Sequence, residues 1–452
     1  MTISIYLIII GIYPLKLCYD NNVVINQEKN SINTPKIWDV VVIGGGPAGM
    51  MAAGRLAERG ASVILIEKNE KLGKKLLITG GGRCNMTNNE LDVRKFLEKF
   101  KDSAKFLFST FSQFSVKETL DFFHDRGLET KLEENGRVFP ADDKASSVFA
   151  VLTKYIEQGG VVIKTGNPVV EIIKNNKENN IESVRLANGE IIQAKAFVLA
   201  TGGKSRPETG STGDGFVWLK NLGHKVIPPN PSLVPVAIKD DWVKELSGVV
   251  LPMVKITVFQ NNKKQVSKKG RILFTHFGLS GPTILNMSKD IGELLKYGEV
   301  VISLDFFPNS GYDNLNTMLQ DLFKNQSNKK IKNSFDEIIP LKSIHEIIFK
   351  MAKIDPETFC HSITREERLG LIKVLKDIPI QVKGLLGVDK AIVTSGGVSL
   401  EEVDWKTMRS LLFNNLYFVG DILDIDRPSG GYSLQLCWTT GRVAGDNALQ
   451  HN

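Results

Sequence analysis

The stretch Asp39-Val40-Val41-Val42-Ile43-Gly44-Gly45-Gly46-Pro47-Ala48-Gly49 decides the fold. Its β-branched first half has strand character and stops abruptly at a GxGxxG spacing, with Gly44, Gly46 and Gly49 at the required positions. Gly44 allows a tight turn, and Gly46 lets a pyrophosphate approach the backbone. Gly49 lets a helix pack close to the strand, with Ala53 one turn on. A helical stretch from Ala48 to Arg59 follows, then Gly60, a second strand Ser62 to Ile66, and Glu67 at its end. The helix start offers free N–H groups and a positive dipole end to phosphates. Glu67 lies 18 residues after Gly49; its carboxylate can accept hydrogen bonds from both hydroxyls of an adenosine ribose and would repel a 2′-phosphate. These residues predict a dinucleotide-binding Rossmann unit, with Gly44, Gly46, Pro47, Ala48, Gly49, Glu67 and Lys68 as cofactor contacts.

Composition sets the surroundings. The chain has 452 residues, a net charge of +7, 42% hydrophobic and 24% charged residues. That excludes a disordered chain, a collagen-like fibre and a polytopic membrane protein, and the length suits two or three domains. The charge permits anionic partners without demanding nucleic acid. Four cysteines, Cys18, Cys84, Cys360 and Cys437, form no CxxC pair and no zinc spacing, which reads as free thiols in a reducing, cytoplasmic compartment with no metal site. Ile3 to Tyr13 is apolar but too short for a span of ~20 residues, and Lys16 comes after it rather than before. The segment fits an over-long start, a weak targeting signal or an extra strand. An Asn-rich linker runs from Asp20 to Lys36. No stable membrane insertion is expected.

Which dinucleotide binds is decided further along. Short alternating runs, Val161–Lys164, Val169–Ile173, Ile181–Ala187 and Glu190–Ala194, with Asn188-Gly189 as a turn, precede a strand Lys195 to Ala200 and then Thr201-Gly202-Gly203. This β-meander followed by ATGG resembles the FAD domain of glutathione-reductase-like flavoproteins. It suggests Val169, Ala200, Thr201, Gly202 and Gly203 as cofactor contacts. Near the C-terminus the strand Leu416 to Val419 ends at Gly420-Asp421. In such flavoproteins the Asp of this pair bonds a ribityl or phosphate-side hydroxyl of FAD. A helix then starts near Gly431-Tyr432-Ser433 and runs to Ala448, its N-terminus pointing at the flavin pyrimidine edge.

Further motifs are more specific. Ile78-Thr79-Gly80-Gly81-Gly82-Arg83-Cys84-Asn85, Gly136-Arg137-Val138-Phe139-Pro140 and Thr209-Gly210-Ser211-Thr212-Gly213-Asp214-Gly215 are not generic Rossmann features. Neither are Phe274-Thr275-His276-Phe277-Gly278-Leu279-Ser280-Gly281-Pro282, Thr394-Ser395-Gly396-Gly397-Val398 and the stretch from Asp424 to Gln435. Over roughly residues 37–447 the chain resembles the bacterial BaiN/YhiN-like flavoproteins, regarded as NAD(P)/FAD-dependent oxidoreductases, some of them aminoacetone oxidase-like. The resemblance implies an FAD domain interrupted by an inserted β-barrel-like domain that itself carries a helical subdomain. Two places depart from the family pattern: Asp421 stands where Glu is common, and Arg427-Pro428-Ser429 replaces a more glycine-like approach to Gly430-Gly431. The expected division is a segment 1–36, FAD-binding parts 37–215 and 391–452, a β-rich insert 216–314 with 376–390, and helices over 315–375. Within it, Pro228-Pro229-Asn230-Pro231 marks a break that ends the first FAD segment.

The loop Gly81, Gly82, Arg83, Cys84 and Asn85 is expected to line the flavin. Cys84 lacks the second cysteine that a disulfide reductase would need. His276 is a candidate proton donor or substrate ligand, weighed against a structural role at a domain junction. Tyr432 either shapes the substrate side or packs. His124, His224 and His361 read as structural. The basic runs Lys263, Lys264, Lys268, Lys269, Arg271 and Lys329, Lys330, Lys332 lack interleaved aromatics, so they read as solvated faces and no nucleic-acid partner is expected. The whole predicts a flavoenzyme that moves a hydride between a small molecule and FAD N5. A nicotinamide, lacking a second Rossmann unit, would visit the flavin as a transient donor. A flavin-dependent RNA-modifying protein and an amine-oxidase-type enzyme using O₂ are the alternatives.

Overall fold

The computed structural model describes residues 36–449 except 176 and 388. The apolar segment Ile3 to Tyr13, Cys18 and nearly all of the linker lie outside the described residues. At the centre is a parallel sheet ordered Val162–Thr165, Val63–Glu67, Ile37–Ile43, Ile191–Leu199, Leu416–Phe418. Buried on both faces, Val40 to Ile43 and Val63 to Ile66 read as continuous apolar runs rather than alternating ones. The helix Pro47–Glu58 crosses from the first strand to the second, with Pro47 at its first turn, where a missing N–H costs nothing. The C-terminal helix Tyr432–Asn447 packs against it.

Two features differ from the sequence expectation. Val162–Thr165 belongs to the parallel sheet, paired with Val63–Glu67, and not to the meander. Glu190–Ala194 and Lys195–Ala200 are one strand, Ile191–Leu199, whose start pairs antiparallel with Ile181–Leu186 and whose end pairs parallel with the first strand and with Leu416–Phe418. One strand serves two sheets, so its burial pattern changes midway and imitates two strands.

The insert is a closed six-stranded barrel drawn from Val236–Ile238, Val250–Gln260, Lys263–Thr275, Gly278–Ser280, Val300–Asp305 and Ile378–Leu385. Its long hairpin turns at Asn261-Asn262, both with positive φ, the conformation a two-residue hairpin loop requires. Between its last two strands come helices Tyr312–Asn325, His345–Ala352 and Arg365–Lys376. Leu315, Phe335, Phe349 and Leu371 share one apolar core with the barrel's Ile302 and Ile378, separate from the core of the Rossmann sheet.

The proline-rich break is a correction. Val226–Ser232 is a strand, paired antiparallel with Val393–Val398. Prolines are tolerated because this ladder has only two strands and its register shifts between Ile227 and Asn230. The pair ties the chain entering the barrel to the chain leaving it. Among the described residues no helix is long and apolar enough to cross a membrane.

Candidate cofactor site

Two connected cavities of about 890 Å³ and about 420 Å³ lie at the carboxyl ends of the parallel strands, sharing Gly44, Glu67, Thr201 and Gly210 in their walls. This is where a doubly wound sheet places its ligand. The turn from strand to helix fits only glycine at two points. A Cβ on Gly44 would collide with the Ala200 carbonyl, and one on Gly49 with the Gly44 carbonyl. Gly46, in contrast, faces open space, with no heavy atom within 4 Å of where its Cβ would stand. Gly44 and Gly49 therefore close the turn, and Gly46 leaves the room above it.

Glu67 ends the second strand, 8% exposed. Its carboxylate accepts from Gly45 N at 2.7 Å and from Asn69 N and Nδ2 at 2.9 and 2.7 Å. These bonds fix its orientation, while it still borders both cavities. The smaller cavity runs past Glu67 to Lys68, Pro168, Val169 and Trp218. Lys68 is drawn aside by Asp214, at 2.7 Å, and by Thr212. The larger cavity follows the helix start at Pro47 and Ala48, then Ala200 and Gly202, and reaches Gly420, Asp421 and Ser433.

The other expected contacts lie outside those walls. Gly203 packs on Thr394, and Gly431 caps the C-terminal helix at φ 102. At Gly81 and Gly82 a Cβ would meet no heavy atom within 4 Å. Arg83 turns outward to Glu133 and Asp143 over the Phe139 ring. Cys84 is fully buried and its thiol is pushed up to about 12 by burial, which disfavours the thiolate. The Asn85 amide bonds Thr87 and Val138 carbonyls and accepts from Gly431 N, a brace between the small sheet and the last helix. Tyr432 packs on Phe96 and Phe100, with ring centroids 4.9 and 6.0 Å away. His276 is exposed in the barrel turn after Lys263–Thr275, its ring against Phe277. Among the other histidines, His224 is held between Glu402 and Ser410.

Sequence reading missed Lys75, Thr79, Asn69, Ile392 and Cys437, all in the wall of the larger cavity. Lys75 sits in a short helix, Lys74–Leu77, begun by Gly73 at φ 68. Its Nζ donates to Ser205 Oγ at 2.8 Å and stands 3.7 Å from Asp421. Burial lowers its pKa, with Asp421 acting against that shift. The Gly-Lys-Lys turn just before the glycine-rich loop was its only sequence signal. Of the basic runs, Lys330 and Lys332 both pair with Glu357, while Lys263 and Lys264 are exposed on the hairpin.

A profile of the HI0933-like protein Rossmann domain matches residues 38–447. The chain belongs to the HI0933-like family. A curated relative of this HI0933-like protein, the 3-dehydro-bile acid delta(4,6)-reductase of Clostridium scindens, is 30% identical over 412 residues, 90% of this chain and 98% of its own. The ribosomal RNA dihydrouridine synthase of Escherichia coli is 29% identical over 410 residues, 89% and 96% of the two chains. In fold it is similar to the 3-ketosteroid delta1-dehydrogenase of Sterolibacterium denitrificans, at a TM-score of 0.53 and 13% identity over 92% of this chain and 100% of that one.

The residues present fit FAD. The open space over Gly46 and the oriented Glu67 carboxylate face the cavities, and Thr201 lines both of them. The HI0933-like chain is an FAD-dependent oxidoreductase.

Proposed function

We propose that this chain is a reductase that saturates a C=C bond conjugated to a carbonyl in a ring, with a nicotinamide as transient electron donor. The observation that carries this is the chemistry shared by two relatives aligned along nearly their whole length. A delta(4,6)-reductase and a dihydrouridine synthase both add two hydrogens across such a bond. FAD bound here, once reduced by the nicotinamide, would supply hydride at N5 for this chemistry. The protein's part is to hold and orient: Glu67 would take the adenosine ribose, the N–H groups after Gly46 the pyrophosphate, and Gly420, Asp421 and Ser433 the flavin half. In this reading residues 37–215 and 391–452 hold the cofactor, while the β-rich segments 216–314 and 376–390 and the helices of 315–375 shape the substrate side. Helix Pro282–Leu295 of the insert reaches the loop before the C-terminal helix through Lys289–Asp426 at 2.5 Å and Ser429 N to Asn286 Oδ1 at 2.9 Å, which supports that assignment.

A small-molecule substrate is the first reading. A uridine in RNA is the second, favoured by the named relative and by the exposed lysines of the barrel hairpin. Anaerobic stopped-flow absorbance with NADH or NADPH tests the donor: rapid bleaching of the flavin band is expected. Reoxidation of the bleached protein by a steroid-type dienone supports the first substrate class. Reoxidation by ribosomal RNA, with a mass gain of two hydrogens on uridine, supports the second. If neither nucleotide bleaches the flavin, the nicotinamide-linked reading is wrong.

A further inference from the structure

The two places where the sequence departs from its family pattern bond each other. The Arg427 guanidinium is fully buried and donates to Asp421. It also donates to Ser433 Oγ at 3.0 Å and to the Ile425 carbonyl at 2.8 Å. On the other side of Asp421 stands Lys75 Nζ, at 3.7 Å. Asp421, Ser433 and Lys75 line the larger cavity, and Arg427 reaches it only through them. Glu67 and the helix start account for the adenosine ribose and pyrophosphate. Asp421 and Ser433, in the wall of the same cavity, are left for the flavin half.

Charge adds to the geometry. The ionisable side chains acting on Lys75 are Asp421, Arg427 and Cys437, so whenever Lys75 holds its proton two cations share one carboxylate. An unmatched cation in a low-dielectric wall is costly unless an anion joins it, and FAD gains negative charge on reduction. Cations along the flavin half therefore favour the reduced cofactor.

We propose that Arg427 is a positioning residue that fixes Asp421 and Ser433 against the flavin half of FAD and, with Lys75, leaves one positive charge there that favours reduction. The proposal rests on the FAD site described above. Without the Arg427 side chain, Asp421 would be left to Lys75 alone.

The test is made on purified holoprotein, by midpoint potential in dye equilibration and FAD affinity in fluorescence titration. Arg427→Met should lose at least tenfold of the preference for reduced over oxidised FAD, a fall of about 30 mV for a two-electron couple. Lys75→Met should lower the potential in the same direction. Arg427→Lys keeps the charge but not the planar fork, so it should restore the potential while leaving FAD bound at least tenfold more weakly than in the wild type. Unchanged potentials in both methionine variants would overturn the charge role. Full affinity in Arg427→Lys would overturn the positioning role. Should Arg427→Met fail to fold, Lys75→Met and Arg427→Lys still decide the two parts. A wild-type protein that binds no FAD would instead bring down the cofactor assignment itself.

Discussion

Glu67 is held by three backbone and side-chain donors before any ligand arrives, so its carboxylate is oriented in advance and little is lost on binding. Replacing it with alanine removes charge-assisted hydrogen bonds of about 1.5–3 kcal/mol each. Glu67→Ala should therefore bind FAD roughly 10- to 100-fold more weakly in a fluorescence titration. Gly49 has a different role. With the Gly44 carbonyl and Ala200 Cβ where its side chain would stand, Gly49→Ala must push the helix off the strand. A loss of about 1–3 kcal/mol in denaturant unfolding is expected, along with cofactor.

At the scale of elements, Gln435 links the C-terminal helix to two other segments, the strand Thr87–Asn88 and the start of the helix Val116–His124. It is fully buried, accepts from Thr87 Oγ1 at 2.6 Å and donates to Ser115 O and Thr119 Oγ1 at 3.2 and 2.7 Å. Gln435→Leu takes the short bond from Thr87 Oγ1, whereas Ser115 O and Thr119 Oγ1 still bond each other at 2.9 Å; a loss of roughly 1–3 kcal/mol for the stranded hydroxyl should lower the Tm measurably. His224 ties the strand Val226–Ser232 region to the sheet edge at Ser410 through Nε2 at 3.1 Å, and Glu402 accepts at Nδ1 at 2.7 Å. Burial lowers its pKa from the ordinary 6.5 despite Glu402. The unfolded chain thus takes the proton more readily, so stability is full above that value and is lost as pH falls below it. Tm measured from about pH 7.5 to about 5.5 should drop, and His224→Phe should flatten that part of the profile.

The strand–turn–helix at Asp39 to Glu58 was legible because strand, glycines and helix are local signals on one short stretch. The last helix was legible for the same reason. The strand containing Pro228 to Pro231 was not, because its permission comes from a partner more than 160 residues away, at Thr394 and Ser395. The site shows the same division. Gly44, Gly46, Glu67 and Asp421 announce themselves by spacing. Lys75 and Arg427 meet at Asp421 only because two distant loops come together, and in the glycine-rich loop at Gly81 to Asn85 the glycines hold a local turn, with φ of 70 and 88 at Gly81 and Gly82.

For the whole molecule, a cofactor that binds only the folded state adds stability by mass action. At a free concentration 100 times its Kd, FAD should add about 2.7 kcal/mol. Protein stripped of flavin should melt at a lower temperature than protein with FAD restored, as read by circular dichroism. One feature of the sheet reaches further. The end of the strand Ile191–Leu199, at Phe197 to Leu199, has its open side covered by Leu416–Phe418, a segment made more than 200 residues later. During synthesis the barrel and its helices, with a core of their own, can fold on the ribosome while that edge still stands bare. A bare, apolar strand edge is a template for unwanted pairing. The nascent chain is then most exposed to aggregation in the interval between completing the insert and releasing its last strand, and slowing translation there should raise the share of insoluble product.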